Sequence, residues 1–169
     1  MVEAGVLRAE EPLELLDGEL LVVTPQGPAH SAAATELHRL LIEAYEGVLV
    51  TVREDKPLAT GPDALPEPDV AVVRGPWTRF ASRHPRGEDV VLVVELARTT
   101  LALDRAKADI YARGNVRVYW LVDFEARRIE IHSEPHADGR YARVRVLAED
   151  ELAELPETTR SLRARDFLP

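Results

Sequence analysis

Apolar residues along this chain recur with two periods, and together they predict the order of its elements. Over residues 31–46 they fall at 33, 37, 40, 41 and 44, the spacing of one helix face, and Gly47 follows as a stop. Before that helix, "LELLDGELLVVTPQGP" reads as a hairpin, because Asp17-Gly18 is a strong two-residue turn signal between apolar stretches. "VLVTV" (48–52) and "DVAVV" (69–73) predict short strands rich in β-branched residues. Residues 74–88, with Gly, Pro, Trp and several charges, predict an irregular loop with one helical turn. The most apolar run, 89–95, predicts a strand buried on both faces. A helix over 103–113 follows and stops at Gly114-Asn115. Strands at 117–123, 127–133 and 140–147 come next, the second alternating as half-exposed, and the tail reads as polar loop and short helix. The order β-β-α-β-β-β-α-β-β-β predicts an α/β (α+β) fold, a mixed central sheet flanked by helices.

Composition narrows this picture. The 169 residues fit one domain, 1–169, long enough to bury about 70% of its unfolded-chain surface. With 46% apolar and 30% charged residues the chain suits a globular protein, and no apolar run approaches the ~20 residues of a membrane span. The first residues show no basic stretch followed by an apolar block, so a cytoplasmic location is expected. Zero cysteines exclude disulfides and thiolate metal sites. Arginine outnumbers lysine 19 to 2 and twelve prolines are present, a bias expected of a thermophile and equally of a GC-rich genome. The net charge of −9 disfavours nonspecific nucleic-acid binding, whose affinity comes from neutralising phosphates, but leaves room for a local basic surface.

Two acids stand out by position. Asp69 follows "PEP" and opens a buried strand, and Glu95 closes the most apolar one. If those strands are neighbours, two like charges meet in a poorly solvated place, which makes sense when a cation lies between them. A hard divalent ion such as Mg²⁺ (or Mn²⁺) fits, because it prefers oxygen ligands and keeps several waters. Lys107, on the following helix, can supply a second positive charge at the same spot. Acids that open or close a strand are more often solvated ends or ion pairs with arginine, and spacing alone does not settle between the two readings.

"LELLDGELLVVTPQGPAH", "PEPDVAVV" and "LVVELARTTLALDRAKADIYARGNVRVYWLVD" resemble, in the same order, the Uma2 family of restriction-endonuclease-like proteins. The resemblance implies the PD-(D/E)xK nuclease fold and a Mg²⁺-dependent endonuclease that hydrolyses phosphodiester bonds in nucleic acid, DNA above all. Within it Asp69 corresponds to the Asp of the "PD" element and Glu95 to the second acid, both metal ligands, with the Leu96 carbonyl as a third. The lysine expected two positions after that acid is replaced by Ala97, and Lys107 takes its part from the next helix. The same resemblance implies a homodimer, and a histidine at His30. The chain departs from the family pattern at Arg98, which can pair with Glu95 or meet a phosphate, and near Val118.

The remaining candidates divide between bland and functional readings. His30 is either the family's histidine or a surface residue at a helix start. Asp104 either orients Lys107 from one turn away or complements the helix dipole in the first turn. Glu36 lies on the first helix, where some nucleases of this fold carry a third acid, and its helical phase is ambiguous. His132 and His136 are expected at the surface, and Trp120 in the core. No Gly-rich phosphate loop, HExxH or GxSxG occurs. The rival to a nuclease is a non-catalytic relative that keeps the fold as a binding or assembly module.

Overall fold

Asp17 and Gly18 both take positive φ, 51° and 82°, and close a two-residue turn between β1 (Leu13–Leu16) and β2 (Glu19–Val22). The computed structural model describes residues 12–23, 25–136 and 138–169; the N-terminal segment read for a leader lies outside them. This hairpin forms its own two-stranded sheet. Next comes α1 (Pro28–Ala44), which begins before residue 31 because Pro28 stands at the first helical position, where its missing N–H and fixed φ suit a helix start.

The main sheet has six strands in the order β3 (Val50–Glu54), β4 (Val70–Arg74), β5 (Val90–Ala97), β6 (Val118–Asp123), β7 (Arg128–Pro135) and β8 (Tyr141–Ala148). All neighbours are antiparallel except β5 and β6, which run parallel and are joined by α2 (Leu101–Arg113). That single parallel pair sets the architecture, since a parallel connection needs a crossover and the crossover covers one face. Helix α1 packs on the opposite face. There Leu37 and Leu41 meet Val70, Val72, Leu92, Leu96 and Trp120. On the α2 face Tyr111 and Ala108 pack with Ala71, Val73, Val93, Tyr119 and Leu121. Every residue of β5 is therefore buried, and each fully buried Val or Leu contributes roughly 1.5–3 kcal/mol. This is the mixed α+β sheet with flanking helices that the pattern predicts.

Several boundaries move. β5 runs to Ala97, so Glu95 lies inside the strand rather than at its tip, and Asp69 sits one residue before β4. The loop before β5 holds two 3₁₀ turns, Trp77–Phe80 and Gly87–Asp89, instead of one. The tail expected as loop and short helix forms a strand pair, β9 (Ala153–Glu154) with β10 (Ser161–Leu162), and a 3₁₀ turn at Ala164–Asp166. It buries Leu162, Ala164 and Phe167 against the α1-side core, which explains an ordered end in a polar stretch. His132 is a second correction. It is buried, tilted against Tyr119 and edge-on to Tyr141, because the α2-side core extends under β7 and closes the face that alternation assigned to solvent. His136 is exposed and Trp120 buried, as expected.

Candidate active site

The register Val70↔Val94 brings Asp69 beside Glu95 across the β4–β5 pair. The backbone N–H of Leu96 donates to Asp69 Oδ2 at 2.7 Å, which fixes the carboxylate against the neighbouring strand. Both acids are buried, 8% and 3% exposed respectively. From α2 comes Lys107, whose Nζ lies 3.1 Å from Glu95 Oε1 and 4.0 Å from Asp104 Oδ1. The structure thus brings Asp69, Glu95, Lys107, His30 and Asp104 to one cavity of about 750 Å³.

His30 is no surface residue. Its Nε2 lies 3.2 Å from Asp69 Oδ2, its Nδ1 is buried without a hydrogen-bond partner among the described residues, and its ring stacks near Phe124. Asp104 stands in the first turn of α2, accepts from Thr100 Oγ1 at 2.5 Å, and lies 4.0 Å from Lys107 Nζ. Glu36 does not join the site; it lies on the exposed side of α1, paired with Arg39. Arg98 lines the cavity, is exposed, and forms no ion pair with Glu95 or any other described acid.

Three site residues escaped the sequence reading. Glu14, from β1, reaches Lys107 Nζ at 3.0 Å and is 6% exposed. Its signal was present: Glu14 and Leu16 share the inward side of β1, an acid where alternation asks for an apolar residue. Tyr111, one turn after Lys107 on the same helix face, donates to Glu95 Oε1 at 2.7 Å. Gln26 donates to Asp55 Oδ1 at 3.1 Å and Asp69 Oδ1 at 3.2 Å. A glutamine in a connecting loop carries no such signal.

The cavity is acidic. Glu14, Asp55, Glu67, Asp69, Glu95 and Asp104 line it, against Lys107, Arg98 and His30. Burial pushes the Glu95 carboxyl well above its usual range, and the charges of Asp69, Asp104 and Glu14 add to this against the opposing pull of Lys107. Asp104 is raised by burial as well, with Thr100 and Lys107 opposing. Burial alone would lower the ammonium of Lys107, but Glu95, Glu14 and Asp104 outweigh it and hold it above its ordinary value. Likewise burial lowers His30 while its hydrogen bond to Asp69 and the surrounding carboxylates raise it, with a net upward shift.

Such a site suits a hard cation. Two adjacent carboxylates face a cavity with more acids than bases, and Glu95 Oε2 has no hydrogen-bond partner among the described residues. Among those residues no group of three or more His, Cys, Asp or Glu is placed to hold a metal ion. Any ion here would be held by the two carboxylates and complete its shell with water or a substrate phosphate. No helix among the described residues is long and apolar enough to cross a membrane.

Comparison with solved structures places the fold. A crystal structure titled "a putative nuclease belonging to DUF820" from Anabaena variabilis ATCC 29413 superposes with a TM-score of 0.78 at 16% identity. The match covers 98% of this chain and 94% of that one, so the two share a fold across nearly their whole lengths. No protein with a curated description matches the chain. The sequence model of the Uma2 family, described as "Putative restriction endonuclease", matches residues 4–166, and the chain belongs to that family.

Proposed function

We propose that this protein is a divalent-metal-dependent phosphodiesterase acting on nucleic acid, DNA first, with Asp69 and Glu95 as metal ligands and Lys107 as the third catalytic group. One observation carries the reading: two carboxylates on adjacent strands converge with a buried lysine in a cavity that holds more acids than bases. A divalent ion held by Asp69 and Glu95, with the Leu96 carbonyl as a further ligand, would polarise the phosphate and lower the pKa of the attacking water.

The chain's own groups have separable parts. Lys107, held protonated by three acids, acts as a fixed positive charge that donates to a water or a phosphoryl oxygen and does not serve as a base. Glu14 and Tyr111 hold Lys107 and Glu95 in place, and Gln26 and the Leu96 N–H do the same for Asp69. His30, with its Nε2 3.2 Å from Asp69 Oδ2, helps to orient that carboxylate.

The test is cleavage of plasmid or single-stranded DNA by purified protein with Mg²⁺ or Mn²⁺, blocked by EDTA. Asp69→Ala, Glu95→Ala and Lys107→Ala should each abolish it; cleavage surviving all three changes places the activity elsewhere. The net charge of −9 and the acidic cavity favour a second reading, a binding or assembly module without catalysis. DNA binding without cleavage under any divalent ion would select it. The nuclease reading also carries a single-domain homodimer. A monomer mass by light scattering at tens of micromolar would exclude that assembly.

A further inference from the structure

The metal-binding pair lies deep, and what stands above it selects the form of the substrate. Glu14 and Lys107, 6% and 5% exposed, join the β1–β2 hairpin to α2 beside Glu95, so the hairpin forms a wall of the cavity. At its mouth are three apolar side chains that the fold leaves uncovered: Val22 at 73% exposure, Leu103 at 42% and Val23 at 39%. Single exposed apolar residues are ordinary; three that line one cavity offer it an apolar contact surface. The one lining cation without a carboxylate partner among the described residues is Arg98, also at the mouth.

A duplex suits this entrance poorly. It carries one negative charge per ~1.7 Å of axis and meets acidic walls with a single unpaired arginine. It is also stiff over ~150 base pairs, so bending a phosphate down into a cavity of this size costs energy that the walls do not return. Its bases are stacked inside, out of reach of Val22 and Leu103. An unpaired strand has lower charge density, bends freely and turns its base faces outward.

Resting on the nuclease reading, we infer that the cavity accepts an unpaired strand or frayed end, with the base beside the scissile phosphate against Val22, Val23 and Leu103 and a flanking phosphate on Arg98. The strand enters as a single flexible chain, and sequence preference is weak because the lip offers apolar contact and few hydrogen bonds.

Initial rates with Mn²⁺ on three substrates test this: bis(4-nitrophenyl) phosphate, a short single-stranded oligonucleotide, and the same sequence as a blunt duplex. The single strand should be cut at least about tenfold faster than the duplex. Val22→Ser and Leu103→Ser, both at exposed positions, should raise KM for the strand several-fold with little change in kcat, and Val22→Trp should lower it. A duplex cut as fast as the strand, or KM values unmoved by all three substitutions, overturns the inference and leaves the nuclease reading intact. Cleavage of the small diester alone also overturns it. No cleavage of any substrate removes the nuclease reading, and the inference with it.

Discussion

Lys107 Nζ stands between two acids that lie 81 positions apart in the chain, 3.1 Å from Glu95 Oε1 and 3.0 Å from Glu14 Oε2. One buried cation therefore ties the central strand β5 to the β1–β2 hairpin, an element outside the main sheet. The same ammonium is the positive charge proposed for catalysis, so structural and chemical roles meet in one side chain.

Removing that charge should destabilise the fold in a pH-dependent way. Lys107→Met leaves buried carboxylates unpaired, a loss of about 3–5 kcal/mol for a buried pair broken on one side. Glu95 and Asp104 already sit above their unfolded values, and an acid raised by folding favours the folded state more as pH falls. The deficit measured by urea unfolding should thus be larger at pH 8 than at pH 5. Equal deficits at the two pH values would contradict this account.

Divalent ions should stabilise the protein, more so at higher pH. Roughly 10 mM Mg²⁺ against a Kd of about 1 mM gives ~1.4 kcal/mol, and each kcal/mol moves the melting midpoint by ~2–4 °C at this size. Because the metal needs Glu95 ionised and burial holds its proton on, Mg²⁺ competes with that proton. The midpoint shift should grow from pH 6 to pH 8. Glu95→Gln keeps the shape but removes the ionised ligand and should erase most of the shift. Overlapping wild-type melting curves with Mg²⁺ and with EDTA would argue against a site formed before substrate arrives.

His132 predicts a separate loss of stability in mild acid. Burial lowers its pKa, with Glu130 opposing, so the folded ring resists a proton that the unfolded chain accepts near its ordinary value of 6.5. Stability is full above that value and falls as pH drops from it toward the lowered folded pKa. His132→Phe keeps the aromatic contacts with Tyr119 and Tyr141 and should flatten this part of the profile. An unchanged difference between pH 8 and pH 5 in the variant would assign the effect to other groups.

Gly87 marks a close approach of two backbones. A Cβ there would lie 1.7 Å from the carbonyl oxygen of Gly114. Gly87→Ala must push the loop before β5 away from the end of α2, at about 1–3 kcal/mol or more. At Gly47 a Cβ meets nothing within 4 Å and only the positive φ of 82° opposes it, for roughly 1 kcal/mol. Thermal melts should rank Gly87→Ala well below Gly47→Ala, and the reverse order would mean that the two loops yield easily.

Local pattern determined most of the secondary structure. Helical spacing over α1 and α2, the Asp17-Gly18 turn and the β-branched runs each encode an element within a few residues, because period and turn chemistry are short-range properties. Asp69, Glu95 and Lys107 were legible for a related reason: an acid beside an apolar run and a rare lysine in the next helix are departures from pattern, and family resemblance gave them order. The tertiary structure alone decided what meets them. Glu14 and Gln26 arrive through chain folding, and nothing near residues 14 or 26 refers to residues 69, 95 or 107. His132 was misplaced because alternation distinguishes the two faces of β7 without saying that the α2-side core covers the second. Boundaries at 28 and 97 moved for the same kind of reason: one more turn or two more strand residues are settled by what packs against them. Periodicity is written residue by residue, whereas burial and charge pairing belong to whichever surfaces the whole chain brings together.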